Sequence, residues 1–367
     1  MIKNALYATT PDKWKLALKR YKPTKGKISK YPVILCHGLG ANASCMDFGR
    51  EGSKKWEKYS LAAYLHEGGE SGVKFDVWVA ELRGRNGSQT FSPLRHPEKY
   101  NWCIDDYITK DIPSIISFVR RTYYKEKKLR PKVFWVGKSM GGMIAYAYGE
   151  GKGKNFLKGV VTMGSPVAFD YVAGKEWPVF FKSIAKHLYP RRFSMPVRWI
   201  KIVEKVGMLD RLRHLMANEK NIYKKILDEY IEKGLDNTIA SKIFSHFAIL
   251  IKYHDFCQYP KNPWLYDLLH YFPFLRCRLA PYSYKYNLGK FTVPLLAIAG
   301  KGDKTAPPEE IKFAFDNVGS KDKKHVVFSE ENGYSADYGH IDLNLGKKAK
   351  DEVYPEIHKW LVERTKV

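Results

Sequence analysis

The stretch Val133-Phe134-Trp135-Val136-Gly137-Lys138-Ser139-Met140-Gly141 decides the fold of this chain. Its first four residues are β-branched or aromatic, which predicts a buried strand. The strand ends in G-x-S-x-G, a pattern typical of a sharp turn from a strand into a helix that exposes a serine hydroxyl. Gly137 and Gly141 fit such a turn because side chains two positions either side of Ser139 would collide. The motif therefore predicts that Ser139 is a nucleophile.

Segments of strand and helix character alternate along the chain on both sides of this motif. The predicted strands cover residues 14–19, 31–36, 75–80, 133–136, 160–163, 293–299 and 324–328, and the predicted helices cover residues 60–65, 111–124, 140–148 and 351–364. This alternation predicts an α/β fold with a mostly parallel sheet and helices on both faces. Because ligands bind at the carboxyl ends of such strands, the residues that follow them are the first candidates for chemistry.

The interval from about residue 169 to residue 290 breaks this alternation. It contains apolar stripes at helical spacing, namely Phe181, Ile184 and Leu188, followed by Val197, Ile200 and Val203. We predict a core of residues 1–166 and 291–367, with residues 167–290 forming a helical cap over the strand ends. A separate helical domain is the alternative, and the return to a core strand after residue 291 disfavours it.

A serine hydroxyl is a weak nucleophile and needs a base, an acid that orients the base, and donors for the oxyanion. His340 follows the last predicted strand and is the predicted base, with His325 as the alternative. Asp303 lies in the glycine turn Gly300-Lys301-Gly302-Asp303-Lys304 and is the predicted acid, although an aspartate there could also serve only the turn. The chain order is therefore Ser139, Asp303, His340.

Backbone N–H groups are the expected donors to the oxyanion. One belongs to Met140, the residue after the nucleophile. The other belongs to Leu39, beside Gly38 in the glycine-rich turn His37-Gly38-Leu39-Gly40 after a predicted strand. We expect His37 to hold this turn by hydrogen bonds rather than to shuttle protons.

Together these motifs resemble the α/β-hydrolase superfamily, over residues 14–166 and 291–360. Segments at residues 37–40, 60–62, 75–79, 83–84 and 111–113 are similar to those of the acid lipase family, whereas Gly137-Lys138-Ser139-Met140-Gly141-Gly142 is closer to monoacylglycerol lipases and bacterial esterases. The resemblance implies the superfamily fold and hydrolysis of carboxylic esters that carry an acyl or lipid portion. The superfamily's order of nucleophile, acid and base agrees with Ser139, Asp303 and His340.

One position departs from these families, which usually carry histidine before the nucleophile. Here that residue is Lys138. We expect its side chain to point into solvent. The alternative is that its cation holds an anionic group of the substrate or lowers the pKa of the serine.

The composition excludes several classes of protein. The 367 residues carry a formal net charge of +25, with lysines spread along the chain, and no motif supports nucleic-acid binding. The five cysteines are odd in number and include no C-x-x-C, so we expect a reducing compartment and neither a disulfide framework nor a metal site. The sequence shows no signal-like stretch and no apolar run of roughly 18 to 20 residues, which predicts a cytoplasmic protein. Peripheral membrane contact through the basic, aromatic cap remains open.

The leading hypothesis is a serine carboxylic-ester hydrolase, an esterase or lipase that works through an acyl-enzyme and needs no cofactor. Acyl transfer to an alcohol or thiol on the same three residues is one alternative. A non-catalytic binding protein that keeps the fold is another. The sequence leaves the acyl length, the alcohol and the oligomeric state open.

Overall fold

The fold is built on an eight-stranded sheet. A computed structural model of the chain describes residues 6–85, 87–88, 91, 95–171, 194–195, 213–235, 239–269, 272, 274 and 282–365. The strands of the sheet are β1 (Leu6–Thr9), β2 (Lys15–Tyr21), β3 (Val33–Cys36), β4 (Val77–Ala80), β5 (Val133–Lys138), β6 (Leu157–Met163), β7 (Leu295–Gly300) and β8 (Lys323–Phe328). Two further pairs of short strands join Lys27–Ile28 to Val73–Lys74 and Ser194–Met195 to Ile239–Ala240.

The strand order is β1-β2-β4-β3-β5-β6-β7-β8. β1 pairs with β2, and β2 pairs with β4, in antiparallel orientation. The remaining pairs are parallel, namely β4–β3, β3–β5, β5–β6, β6–β7 and β7–β8. The predicted α/β fold with a mostly parallel sheet is therefore confirmed. β5 lies in the middle of the sheet, between β3 and β6, so the turn that contains Ser139 is surrounded by other strand ends.

Helices cover both faces of the sheet. They are α1 (Lys54–Tyr59), α2 (Leu61–Glu67), α3 (Ile112–Lys127), α4 (Met140–Glu150), α5 (Lys224–Lys233), α6 (Ser241–Tyr253), α7 (Pro263–Leu269), α8 (Pro308–Asn317) and α9 (Ala349–Glu363), with short helical turns at Ile104–Asp106 and Asp342–Leu345. None of the helices in the described part of the chain is both long and apolar enough to cross a membrane.

The core has two layers because successive side chains of a strand point to opposite faces. In β5, Val133 and Trp135 belong to the cluster that packs with α3 and α4, whereas Phe134 and Val136 belong to the cluster that packs with α2 and α9. Both faces of this strand are thus buried, which explains why its sequence is a continuous apolar run rather than an alternating one.

The segment predicted as a cap contributes α5, α6 and α7 to the described structure. Ser245, His246 and Phe247 of α6 are buried, as are Ile226 and Leu227 of α5. The two stripes predicted around residues 181–188 and 197–203 lie outside the described residues.

Candidate active site

The turn between β5 and α4 holds Ser139 in an unusual backbone conformation. Its φ is +54° and its ψ is −122°, a region that side-chain-bearing residues seldom adopt. The neighbouring glycines are needed for close approach. A Cβ at Gly137 would lie 2.3 Å from the carbonyl oxygen of Gly141, and a Cβ at Gly141 would lie 2.6 Å from the carbonyl oxygens of Cys36 and His37. The turn is therefore packed directly against the end of β3.

The glycine-rich turn after β3 approaches the serine from the other side. A Cβ at Gly38 would lie 2.9 Å from the Cβ of Ser139 and 3.5 Å from its Oγ. Gly38 and Leu39 both line the cavity into which Ser139 opens. Met140 is the first residue of α4, so its N–H has no partner within the helix. The structure thus places both predicted donor segments beside the serine.

His37 lies inside this turn and is fully buried. Its Nε2 accepts a hydrogen bond from the N–H of Leu82 (3.2 Å), and its Nδ1 donates to the carbonyl oxygen of Gly38 (2.9 Å). Both ring nitrogens are therefore engaged with the backbone. His37 ties the turn after β3 to the residues after β4, as expected for a histidine that holds the turn.

Asp303 and His340 form a hydrogen-bonded pair at the ends of β7 and β8. Oδ2 of Asp303 lies 2.6 Å from Nδ1 of His340. Oδ1 of the same carboxylate accepts the N–H groups of Thr305 (2.8 Å) and Ala306 (2.7 Å). The acid is thereby fixed in one orientation, with one oxygen directed at the imidazole. The alternative base, His325, lies within β8 and stacks on Phe315.

Burial lowers the pKa of His340 below its usual range. The carboxylate of Asp303 opposes this effect, and the positive charge of Lys138 adds to it. The imidazole is thus biased towards its neutral form, which is the form that can accept a proton from a serine hydroxyl.

Gly164 follows β6 and touches this pair, although no role at the site was predicted for it. Its φ is +55°, and a Cβ there would lie 2.8 Å from Oδ2 of Asp303 and 3.0 Å from Nδ1 of His340. The break of the strand at Gly164-Ser165-Pro166 was the available signal. A larger residue would push the aspartate and the histidine apart.

The loop that carries His340 is anchored by a second buried carboxylate, which sequence analysis also missed. Asp342 accepts hydrogen bonds from the N–H of Gly339 (2.8 Å), the N–H of Asn218 (3.0 Å) and Nδ2 of Asn221 (2.8 Å). Asn218 and Asn221 are 121 or more residues away in sequence, so no local pattern could reveal these contacts.

The prediction that Lys138 points into solvent is wrong. Its side chain is only 3% exposed, and it lines the same cavity as Ser139 and His340. The physical reason is its place at the end of β5, a central strand with both faces covered. Among the described residues its Nζ has no hydrogen-bond partner.

A cavity of about 130 Å³ lies over Ser139. Its described lining includes Gly38, Leu39, Lys138, Ser139 and His340 of the predicted site and its surroundings. Most of the remaining wall is apolar and comes from Ala41, Met143, Pro166, Phe169, Met216, Leu235, Phe247, Ile251, Ile341 and Leu345. Asp303 contacts His340 but does not itself line the cavity. The site can therefore hold an apolar group next to the serine.

Cys103, Asp105 and His246 form a separate cluster whose ligand atoms lie within 4.8 Å of one another. Both ring nitrogens of His246 are already engaged, one with the N–H of Ile104 (3.3 Å) and the other with the carbonyl oxygen of Cys257 (2.8 Å). A histidine ligand needs a free ring nitrogen. The cluster therefore fits a structural hydrogen-bond network better than a metal centre.

Comparison with known proteins finds lipases among the relatives of this chain. Triacylglycerol lipase 1 of Arabidopsis thaliana is 23% identical over 385 aligned positions, covering 97% of this chain and 86% of the relative. Triacylglycerol lipase 2 of the same plant is 20% identical over 301 positions, covering 77% of this chain and 67% of the relative.

Solved structures show the same fold at low identity. A thermophilic esterase from Thermogutta terrifontis superposes with a TM-score of 0.57 and 17% identity, covering 99% of this chain and 100% of that chain. Paleococcus ferrophilus monoacylglycerol lipase gives 0.56 and 18%, covering 95% and 99%. These structures share the fold, and the triacylglycerol lipases among the sequence relatives support a hydrolase of the lipase and esterase type. The family model for the alpha/beta hydrolase fold matches residues 31–331, and the chain therefore belongs to the α/β-hydrolase family.

Proposed function

We propose that the protein is a serine carboxylic-ester hydrolase that acts on esters with an apolar acyl portion. The observation that carries the proposal is the arrangement of Ser139, in its strained turn, on the same cavity as His340, whose ring is held by Asp303. Nucleophile, base and orienting acid are the three parts that a serine hydrolase requires.

In the proposed reaction Oγ of Ser139 attacks the ester carbonyl while Nε2 of His340 takes the hydroxyl proton. The imidazolium then gives this proton to the leaving alcohol, and an acyl-enzyme remains. Water, deprotonated by the same imidazole, attacks the acyl-enzyme. The carboxylic acid leaves as the imidazolium returns this proton to Oγ of Ser139. Asp303 keeps Nδ1 of His340 in its donor role and stabilises the positive charge that develops on the ring.

The oxyanion of each tetrahedral intermediate would be held by the N–H groups of Leu39 and Met140. The start of α4 supports the second donor, because the first N–H groups of a helix are free and carry partial positive charge. Loss of one such donor costs about 10²–10³ in turnover. Contact of Gly38 with Ser139 supports the first donor, because it brings the turn with Leu39 next to the reacting oxygen.

The apolar wall supports an acyl chain as the neighbour of the scissile bond. Phe169, Phe247 and Ile251 line the cavity together with Met143. Burial of such surface stabilises a bound hydrocarbon by about 25 cal/mol per Å². The named triacylglycerol lipases among its relatives agree with a lipid-like ester.

The test replaces Ser139 with alanine and compares this variant with the same replacement at a buried serine outside the site. Ser139→Ala should reduce hydrolysis of p-nitrophenyl esters by several orders of magnitude and abolish labelling by a fluorophosphonate. Ser320→Ala is the control, because Ser320 is also buried but lies just before β8, at the opposite end of the strand from the site. It should keep both activity and labelling.

A folded Ser139→Ala protein that still turns over the esters would refute the assignment of the nucleophile. Product analysis with an added alcohol acceptor separates hydrolysis from acyl transfer. Free acid as the main product supports the proposal, whereas an ester of the acceptor as the main product would make the protein a transferase on the same three residues.

A further inference from the structure

Lys138 lines the cavity, and ester hydrolysis as described does not use it. Its Nζ is buried and lacks a hydrogen-bond partner among the residues that the structure describes. An unpaired buried ammonium is costly, because it loses its hydration without gaining a counter-charge. Such an amine is either deprotonated, and so neutral, or is stabilised in its charged form when an anion binds next to it.

The nearby carboxylates do not satisfy this amine. Burial lowers the pKa of Lys138, and Asp303 and Asp342 oppose the effect from a distance. Asp303 is committed to His340 and two backbone N–H groups, and Asp342 to three donors of its own loop and of the segment around Asn218. Neither forms an ion pair with Lys138, so an anion bound in the cavity would supply its counter-charge.

The charge of the cavity wall is one-sided. Its described lining contains no aspartate or glutamate, and Lys138 and His340 are its only basic side chains. Two other titratable groups, Cys45 and Tyr230, have a pKa that burial raises, so both are neutral near pH 7. A ligand in this cavity meets a cation and no compensating acid, which favours an anionic group.

A second polar atom of the wall is also unpaired. Oδ1 of Asn344 is buried and has no partner among the described residues. Asn344 lines the same cavity as Lys138. An acceptor and a cation on the lining of one cavity suit a ligand that presents a hydroxyl as well as anionic oxygens.

The apolar lining comes from two different packing clusters. Met143, Phe169, Phe247 and Ile251 belong to the cluster that includes α3 and α4. Ala41, Cys45, Tyr230, Ile341 and Leu345 belong to another cluster. Both clusters therefore supply apolar surface that can contact an acyl chain.

We propose that Lys138 binds an anionic oxygen group, a carboxylate or a phosphate, of the ester substrate, and that the enzyme prefers such esters to neutral esters of equal length. This inference rests on the proposed function, because it concerns the substrate of that same site. The alternative is that Lys138 only fills space beside the cavity and binds no group of the substrate.

Two pairs of substrates distinguish the possible positions of the anion. The mono-p-nitrophenyl ester of adipic acid against p-nitrophenyl hexanoate tests a carboxylate on the acyl side. 1-Lauroylglycerol 3-phosphate against 1-lauroylglycerol tests a phosphate on the alcohol side. The wild-type kcat/KM should favour the anionic member of at least one pair by about 10- to 100-fold, as expected for a buried hydrogen bond to a charged group.

Three variants complete the experiment. Lys138→Met should abolish the preference, since methionine fills a similar space without charge, and Lys138→Arg should retain part of it. Lys301→Met is the matched control, because Lys301 is exposed in the turn after β7 and its loss changes the net charge equally. Circular dichroism and Tm show whether each variant is folded.

The possible failures are distinguishable. Ser139-dependent hydrolysis with no preference for the anionic member of either pair, or a preference that survives in folded Lys138→Met, overturns the inference and leaves the proposed function intact. Absence of hydrolysis of all four esters counts against the proposed function instead. In that case calorimetry with dodecanoate and dodecanol decides the inference. Tighter binding of dodecanoate by wild type, lost in Lys138→Met, supports it, and equal binding by both proteins overturns it.

Discussion

Asp303 contacts His340 through one short hydrogen bond, 2.6 Å between Oδ2 and Nδ1, while its other oxygen accepts two backbone N–H groups. An asparagine cannot reproduce this arrangement, because its NH₂ group would face either the imidazole N–H or the two backbone donors. Asp303→Asn should therefore lower kcat/KM for p-nitrophenyl esters by about 10³- to 10⁴-fold.

The control for this variant is Asp316→Asn, since the side chain of Asp316 is exposed near the end of α8 and forms an ion pair with Lys312. It should leave kcat/KM unchanged within about twofold, as for most surface substitutions. A folded Asp303→Asn protein with nearly wild-type turnover would mean that His340 is oriented without this carboxylate.

The pH dependence of activity should report the environment of His340. Its pKa is lowered by burial and by the charge of Lys138, while Asp303 opposes this. Because the base must be neutral, activity is lost as the pH falls through this lowered pKa. The acid limb of kcat/KM against pH should therefore have its midpoint below the ordinary histidine value of about 6.5.

Lys138→Met should move that midpoint to higher pH. Removal of a neighbouring positive charge stabilises the imidazolium and raises the pKa of His340, so that the base becomes protonated earlier on acidification. The pH profile of Lys301→Met, which removes an exposed charge, should match that of wild type. A midpoint that stays in place in Lys138→Met would show that the amine carries no charge in the free enzyme.

Lys138→Met should also stabilise the fold. The wild-type amine is buried without a hydrogen bond, and its replacement by an apolar chain of similar length removes about 1–3 kcal/mol of desolvation penalty. Chemical denaturation at neutral pH measures the change in the free energy of unfolding. A loss of stability would indicate that the amine has a stabilising role in the free protein.

Local sequence was sufficient for most strands of the sheet and for the turns that end them. Continuous apolar runs predicted the parallel strands, and the glycines around Ser139 predicted a close approach that the backbone shows. β6 begins three residues earlier than predicted, at Leu157, because Gly159 interrupts the apolar run. That glycine makes room for the ring of Trp360, 2.7 Å from where its Cβ would lie.

Local sequence patterns could not predict contacts between distant parts of the chain. β1 was missed because Leu6 and Tyr7 are exposed on an edge strand and carry no buried periodicity. The orientation of Lys138 followed from the burial of a central strand on both faces, which depends on the strand order rather than on its neighbours in sequence. The anchoring of the His340 loop by Asn218 likewise required the fold.

The contact between Gly38 and Ser139 gives the sharpest test of the proposed oxyanion turn. Alanine at Gly38 places a Cβ 2.9 Å from the Cβ of Ser139 and 3.2 Å from the carbonyl oxygen of Lys138, so the turn with Leu39 must retreat from the serine. Because a displacement of about 1 Å can cost about 10²-fold in rate, Gly38→Ala should reduce kcat by about that factor.

Gly289→Ala is the matched control, since no atom lies within 4 Å of the position of its Cβ. It should keep wild-type kcat and Tm. The effect of Gly38→Ala should fall on kcat more than on KM, because a retreating donor weakens the interaction with the oxyanion, which exists only in the transition state and intermediates. An equal loss of activity in both variants would show that the effect is not specific to the turn after β3. A rise in KM alone for Gly38→Ala would show that this turn binds the substrate without stabilising the oxyanion.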